Sequence, residues 1–405
     1  MAELRAARIV DALADAAQRW TNADFPPRVR ATRSIAERTG YTEPVVDYAL
    51  DRLFGGIERR ALRDTIAGEL GSLDALDGFV ARTGRPAVHF RGLERVAIVA
   101  SDTTIGVAIP ALVFALSAKA SVLVKDRDDG LTAAFVHTLS EERPELGARV
   151  RSEAWDGTDG AASRERLRDA DVIVAYGRNR TLAEIRAVLK PEARFLPFGH
   201  RTSLGYVTRE ALAGEREARA AARGAARDAL LYDGDGCLSL HALFVENGGV
   251  VSPGAFARTL ATACDEAAVE FPAGYAGFDA PTAAYARAAR FRAAQGSGAV
   301  YAGTSGPHLI VSDPARDEAP PLYRRSVALY PVGSPSEALA FVRRHALALE
   351  AIGVGGAERD DVLAFVAASG ASRIAPLGSL QDPPLGGEHG GAGRILPFVR
   401  AIYRG

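Results

Sequence analysis

A chain of 405 residues with 48% hydrophobic content can bury a large core, and its length suits two or three domains better than one. Its 49 Lys and Arg balance 50 Asp and Glu, and a net charge of -1 gives no chain-wide attraction to nucleic acid or to an acidic membrane face. No window approaches the roughly 20 apolar residues of a membrane span, residues 1–20 lack the apolar run of a secretory signal, and Cys237 and Cys264 lack both the number for a disulfide framework and the paired spacing of a zinc site, so a reduced, cytoplasmic setting is expected.

In chain order, residues 1–90 read as a helical packing arm, with Ile9, Leu13 and Ala16 and then Val45, Tyr48, Ala49 and Leu53 at three- and four-residue spacing. From Arg95 the pattern changes to short apolar runs of strand type separated by helical stretches: a strand at 96–100, a helix at 109–118, a strand at 121–124, a helix at 131–139 and a strand at 172–176. Such alternation with long crossovers signals βαβ units and a mostly parallel sheet covered by helices. A charged, alanine-rich helix is expected over 209–231, its Glu210, Glu215, Glu217 and Asp228 belonging to a solvated face. Further strands are expected at 299–302, 309–312, 327–331 and 351–354, with helices at 253–270 and 335–347. The class is α/β, with domains at 91–230 and 231–380 after the arm and a terminal segment 381–405 that returns to the first domain or to a subunit interface.

Between the charged helix and the next strand lies Tyr232-Asp-Gly-Asp-Gly-Cys237-Leu-Ser-Leu-His241. The Asp233 to Gly236 stretch is able to take positive φ and to gather backbone N–H groups. A cysteine held there suits a nucleophile, because a thiolate attacks carbonyls well and also leaves well; the plain alternative is a small buried apolar residue. Cys264 falls inside a helical apolar pattern and is expected in the core. His241 lies four residues on, which along a strand is about 13 Å from Cys237 and too far to activate it.

The segment Gly236-Cys-Leu-Ser-Leu-His-Ala-Leu-Phe-Val-Glu246 resembles the nucleophile segment of the acyl-CoA reductases of bacterial bioluminescence, long-chain fatty acyl reductases of the aldehyde dehydrogenase superfamily. The resemblance runs colinearly from Val96 to Gly405. It includes Ala115-Leu-Ser-Ala-Lys-Ala-Ser-Val-Leu-Val-Lys125, which is similar to the segment ending in the cofactor-binding lysine, and Asp171-Val-Ile-Val-Ala-Tyr-Gly177, which is similar to the strand ending in the glycine beside the pyrophosphate. Near the C-terminus, Ser372-Arg-Ile-Ala-Pro-Leu-Gly378 and Gly386-Gly-Glu-His-Gly-Gly391 resemble the last motifs of the reductase branch. The resemblance implies an aldehyde dehydrogenase-like fold, two α/β domains with mostly parallel sheets plus the N-terminal helical arm, the first domain binding the nicotinamide dinucleotide and the second carrying the cysteine. A homo-oligomer is implied by analogy.

Two departures bear on chemistry. Residues 194–203 stand where the superfamily carries its water-activating glutamate, yet Pro197 takes that place and 195–203 holds no carboxylate. An acyl-cysteine would then lack its base for hydrolysis, which favours exchange with a thiol such as coenzyme A. At the oxyanion-hole asparagine stands Asp102, whose charge would repel an oxyanion, so either the register shifts by one or Thr103 donates instead. The activity implied is reduction of an acyl-CoA to an aldehyde through an acyl-Cys237 intermediate. His200 and His389, in glycine-containing turns, are candidates for contacts at the site, a hydrogen-bonded loop histidine being the alternative for each. Lys125 is assigned to the cofactor ribose or its phosphate and Gly177 to the pyrophosphate. Arg127 suits the 2′-phosphate of NADP, whereas Asp128 suits the 2′-hydroxyl of NAD; the family points to NADPH, with NADH as the alternative. The rival readings are an acyl phosphate reductase of the glutamyl phosphate reductase type, a non-redox cysteine acyltransferase or thioesterase, and a non-catalytic acyl-carrier or partner-binding protein on the same fold.

Overall fold

The computed structural model describes residues 4–101, 104–126, 130–156, 159–313 and 315–405. The chain divides into two compact units, one of Met1–Thr39, Val46–His200 and Pro384–Gly405, the other of Gly40–Val45 and Arg201–Pro383.

The first unit begins with helices α1 (Ala6–Trp20), α2 (Pro26–Thr39), α3 (Glu43–Gly55) and α4 (Arg59–Leu70). Helix α1 buries Ile9, Val10, Leu13, Ala16, Ala17 and Trp20 at helical spacing, so its apolar stripe faces the core. Trp20 stacks on Phe54 with ring centroids 4.8 Å apart, and its Nε1 donates to Thr138 Oγ1 at 3.1 Å. Residues 80–92, read from sequence as part of the helical arm, instead form a hairpin of β1 (Val80–Arg82) and β2 (Arg85–Gly92) around Gly84, whose φ is 67°. The reason is a period-two burial of Val88 and Phe90, too short to stand out against the helical pattern before it.

The βαβ region follows as β3 (Arg95–Val99), α5 (Ala108–Ser117), β4 (Ser121–Lys125), α6 (Leu131–Glu142), α7 (Pro144–Gly147), β5 (Val150–Glu153), α8 (Gly160–Leu167), β6 (Val172–Tyr176), α9 (Asn179–Arg186) and β7 (Arg194–Phe198). Its sheet runs β5-β4-β3-β6-β7 with every pair parallel.

The second unit contains β8 (Thr202–Val207), α10 (Glu215–Leu230), β9 (Leu240–Glu246), α11 (Pro253–Glu270), α12 (Ala280–Ala294), β10 (Ala299–Ala302), β11 (Leu309–Ser312), β12 (Ser326–Val332), α13 (Pro335–Arg344), β13 (Leu349–Gly355), α14 (Asp360–Ser369) and β14 (Arg373–Pro376). They build a sheet ordered β10-β11-β12-β9-β8-β13-β14, parallel except for β10 against β11. The chain then returns to the first unit, where β15 (Val399–Arg404) pairs antiparallel with β2.

The unit boundary falls between His200 and Arg201, well before the position read from sequence, because β7 closes one sheet and β8 sits inside the other with only Gly199, His200 and Arg201 between them. Residues 1–39 and 46–90 belong to the first unit rather than standing apart as an arm. Asp228, expected on a solvated face, is fully buried on α10. Among the described residues no helix is long and apolar enough to cross a membrane.

Trp20→Ala is expected to cost about 3–5 kcal/mol through the lost ring, whereas Trp20→Phe, which keeps the stack but not the bond to Thr138, should cost about 1 kcal/mol. Urea midpoints of the two variants measure the difference, and equal costs would show that the ring contributes no packing of its own.

Candidate active site

Helix α10 ends at Leu230, and the backbone then turns sharply through Tyr232 (φ 56°), Asp233 (φ 53°) and Gly234 (φ 76°). Glycine adopts the left-handed region freely, but Tyr232 and Asp233 do so at a cost of about 1–2 kcal/mol each. A buried ion pair holds them there: Arg325 Nη1 donates to Asp233 Oδ1 at 3.0 Å, Arg325 N–H donates to Asp233 O at 3.1 Å, and Nη2 donates to Phe271 O at 2.8 Å. Burial pushes the Asp233 carboxyl up and Arg325 pulls it back only in part. Next door, Arg324 pairs with Asp235 at 2.8 Å. Both aspartates of the Asp-Gly-Asp-Gly stretch are thus clamped by the arginines that lead into β12.

Cys237 follows as an exposed residue ahead of β9, so the strand spacing assumed between it and His241 does not apply. His241 is buried beneath the turn, its ring close to Gly234. Ser203 Oγ on β8 donates to Cys237 O at 2.8 Å, and the N–H groups of Cys237 and Leu238 lie beside the thiol and favour its anion. Although the side chain reaches solvent, dense protein around it pushes the thiol up to about 11, the buried Glu350 carboxylate adds to that, and the two N–H groups and Arg201 oppose it. At neutral pH Cys237 is therefore a thiol, flanked by donors that favour its anion. Cys264 is fully buried in the core of the unit, as expected.

Several site groups escaped sequence reasoning. Glu350, the second residue of β13, accepts from Ser372 Oγ at 3.2 Å and lies 3.7 Å from Arg201 Nε. Its signal was a lone charge within the apolar run Leu349–Gly355, since a charge inside a buried strand requires a partner. Ser203 and Arg201 gave no comparable signal. All of these lie at the amino edge of the sheet, where β8, β9, β13 and β14 begin.

In the first unit the useful edge is the opposite one. Strands β3, β4 and β5 run outward in one direction and β6 and β7 in the other, so the order reverses between β3 and β6, and in such sheets ligands bind beyond the carboxyl ends at that reversal. Gly177 follows β6 at this point, its N–H donating to Phe198 O at 3.2 Å. A Cβ on Gly177 would meet only Thr181, at 3.8 Å, so the packing of the protein does not itself require glycine there. Lys125 ends β4 with Nζ 5.5 Å from the Trp155 ring centroid, and the Arg166 guanidinium lies 5.3 Å from the same ring. Arg166 also bonds Glu153 at 3.0 Å, and despite the burial that raises it, this carboxyl is lowered by Arg166 and Arg151. Pro197 lies within β7, and His200 is an exposed residue just beyond that strand. His389 stacks on Phe198 at 3.9 Å, and Tyr176 lies 5.0 Å from Phe198 and 5.7 Å from His389, so the C-terminal glycine-rich segment is held on the end of β7. Asp102, Thr103, Arg127 and Asp128 lie outside the described residues. Among the described residues no group of three or more His, Cys, Asp or Glu is arranged to hold a metal.

The chain is similar in fold to an oxidoreductase from Marinobacter aquaeolei (TM-score 0.73, 14% identity, covering 98% of this chain and 84% of that one). It is also similar to an NAD-dependent benzaldehyde dehydrogenase from Corynebacterium glutamicum (TM-score 0.69, 13% identity, 99% and 85% covered) and to an NAD-dependent aldehyde dehydrogenase from Sinorhizobium meliloti (TM-score 0.70, 13% identity, 98% and 82% covered). At these identities the likeness shows the α/β aldehyde dehydrogenase-like fold. No curated protein matches the chain by sequence. The acyl-CoA reductase (LuxC) family model matches residues 1–401, and the chain belongs to that family of acylating oxidoreductases.

Proposed function

We propose that this enzyme reduces a long-chain acyl-CoA to the fatty aldehyde with NADPH through a thioester on Cys237. The observation that carries the reading is the exposed Cys237 with two backbone N–H groups beside its sulfur, in a chain with no carboxylate in residues 195–203. Cys237 loses its proton and Sγ attacks the acyl carbonyl. The tetrahedral oxyanion is held by the N–H of Cys237 and by Thr103, each such donor contributing about 3–4 kcal/mol to the lowered barrier. Collapse breaks the bond to the coenzyme A sulfur, which leaves as thiolate and takes up the proton that Cys237 gave. With Pro197 in place of a base, the acyl-Cys237 is slow to hydrolyse and waits for reduction. The bound nicotinamide supplies a hydride to the acyl carbon. The thiohemiacetal anion on Cys237 then expels the sulfur, releasing aldehyde, and Cys237 regains a proton from solvent, with His200 assigned to contacts with the reacting group. One acyl-CoA, one NADPH and one proton thus give aldehyde, coenzyme A and NADP.

The preference for NADPH is supported by Lys125 and Arg166, two cations gathered over the Trp155 ring whose charge suits a ribose phosphate. Arg127 is assigned to the 2′-phosphate, the charge of Asp128 opposes it, and Gly177 leaves room for the pyrophosphate. A homo-oligomer in the cytoplasm completes the reading.

Incubated with palmitoyl-CoA and no reductant, the enzyme should carry the acyl mass on the Cys237 peptide and lose it as aldehyde when NADPH is added. Cys237→Ala should abolish labelling and Cys264→Ala should not. Labelling of any other residue, or discharge as free acid, would overturn the reading.

The cofactor preference has its own measurement. The chain has 2 tryptophans, so Trp20→Phe leaves Trp155 as the single fluorophore. In that background 2′,5′-ADP should quench Trp155 at lower concentration than 5′-AMP, and Arg166→Ser should weaken the first about tenfold, the worth of one charged contact, and leave the second unchanged. Equal binding of the two nucleotides would remove the case for NADPH.

A further inference from the structure

We infer that Gln381, locked in place by the buried Asp228, is a positioning residue for the nucleophile turn, acting through Ser239 to aim the Cys237 and Leu238 N–H groups at the sulfur. The inference rests on the proposed role of Cys237 and assigns a task to a loop, residues 376–382, that otherwise has none.

The chain of contacts is continuous. Asp228 on α10 has no exposed surface, yet its carboxyl accepts from Gly378 N–H at 2.6 Å and from Leu380 N–H at 3.1 Å. The loop can come this close because glycine meets glycine. A Cβ on Gly224 of α10 would lie 2.4 Å from Leu377 O, and one on Gly378 would lie 3.0 Å from Gly224 Cα. From its other side Arg373 donates to Leu380 O at 2.8 Å and to Ser379 O at 2.7 Å. So fixed, the loop presents Gln381, whose Nε2 donates to Ser239 Oγ at 2.8 Å and to Asp228 O at 3.3 Å. Ser239 Oγ in turn accepts the N–H of Gly236 at 3.2 Å, and Ser239 N–H donates to Gly236 O at 3.0 Å.

The consequence for the turn is geometric. Gly236 and Ser239 have their N–H groups committed to structure, and Ser203 fixes the carbonyl of Cys237. The two N–H groups between them, those of Cys237 and Leu238, lie beside the thiol and favour its anion. Without Gln381 the Ser239 hydroxyl is free to rotate away, and the Gly236 peptide can turn with it.

The proton on Asp228 gives the relay a signature. A carboxylate accepts both loop N–H groups, but a carboxylic acid spends one oxygen on its own proton. The charged groups around it are Asp382 and Arg373, with Arg227 on its own helix paired to Asp382 at 3.8 Å. Burial, against the pull of the two N–H groups, pushes Asp228 up to about 7, so the clamp should loosen as the pH falls through neutrality.

The test is the rate of Cys237 alkylation by iodoacetamide in the full chain, read by mass of the Cys237 peptide from about pH 5.5 to 9, alongside kcat and KM. The wild-type rate should climb tenfold per pH unit as the thiol ionises, with an added inflection near 7 set by Asp228. Asp228→Asn should remove that inflection. Gln381→Ala and Ser239→Ala should each slow alkylation and lower kcat about tenfold with KM for acyl-CoA nearly unchanged, and the double variant should be no slower than either single one because both cut the same relay. Additive losses, or a wild-type alkylation profile in Asp228→Asn, would overturn the inference. Alkylation needs neither acyl-CoA nor nicotinamide, so an enzyme with the relay but no reductase activity would refute the proposed function and leave this inference standing.

Discussion

The buried ion pair between Arg325 and Asp233 is the constraint on which the Cys237 turn of the second unit depends. Removing a guanidinium and a carboxylate from water costs several kcal/mol per ion, and their mutual attraction seldom returns a surplus, so the pair is a poor explanation for stability. What it supplies is specification. Arg325 is itself in the left-handed region, at φ 48°, and its N–H and side chain both reach Asp233. Two chain segments in unfavourable conformations therefore hold each other, and neither relaxes without leaving a charge unpaired in the core. A strained turn fixed in this way throws Cys237 outward at the lip of β9 instead of letting α10 run smoothly into the strand.

Much of the scaffold was legible because its signals are local. The strands 299–302 and 309–312 and the helix 253–270 stand in the structure where periodicity placed them, as Ala299–Ala302, Leu309–Ser312 and Pro253–Glu270. Gly234 and Asp233 adopt the positive φ that the Asp-Gly-Asp-Gly run suggested, but Tyr232 does too, and nothing in its side chain announces it. What stayed hidden is what depends on distant partners. Asp228 sits among exposed charges on α10 and reads as one of them, although the loop it serves lies 150 residues later in the chain. The same holds for Arg325, whose burial is decided by Asp233, 92 residues away. The unit boundary was obscured for a related reason: β7 and β8 are consecutive strands that belong to different sheets, a matter of pairing and not of propensity.

The two units share a mostly parallel-sheet architecture, and their candidate sites lie at opposite edges of it. In the first unit the carboxyl edge is open at the reversal of strand order, with Gly177 beside it. In the second unit the corresponding edge is closed by its own side chains. Glu246 ends β9 with no exposed surface and accepts from Tyr206 Oη at 2.7 Å, from Arg209 N–H at 2.8 Å and from Arg359 Nη2 at 2.5 Å. Arg359 extends the network to Glu210 at 2.6 Å and Asp361 at 3.0 Å. Burial works to raise Glu246, but the bonds from Arg359, Tyr206 and Arg209 outweigh it and hold the carboxyl at about 2. Its folded pKa lies below the unfolded one, so the contribution is present above the ordinary carboxylate range and is lost only as the pH falls toward 2. At this edge the buried polar atoms are committed to one another, whereas the candidate site lies at the other edge of the same sheet. The amino edge is where β8, β9, β13 and β14 begin together, and there Ser203 of β8 and Glu350 of β13 meet Cys237 and Ser372 from the segments that precede β9 and β14.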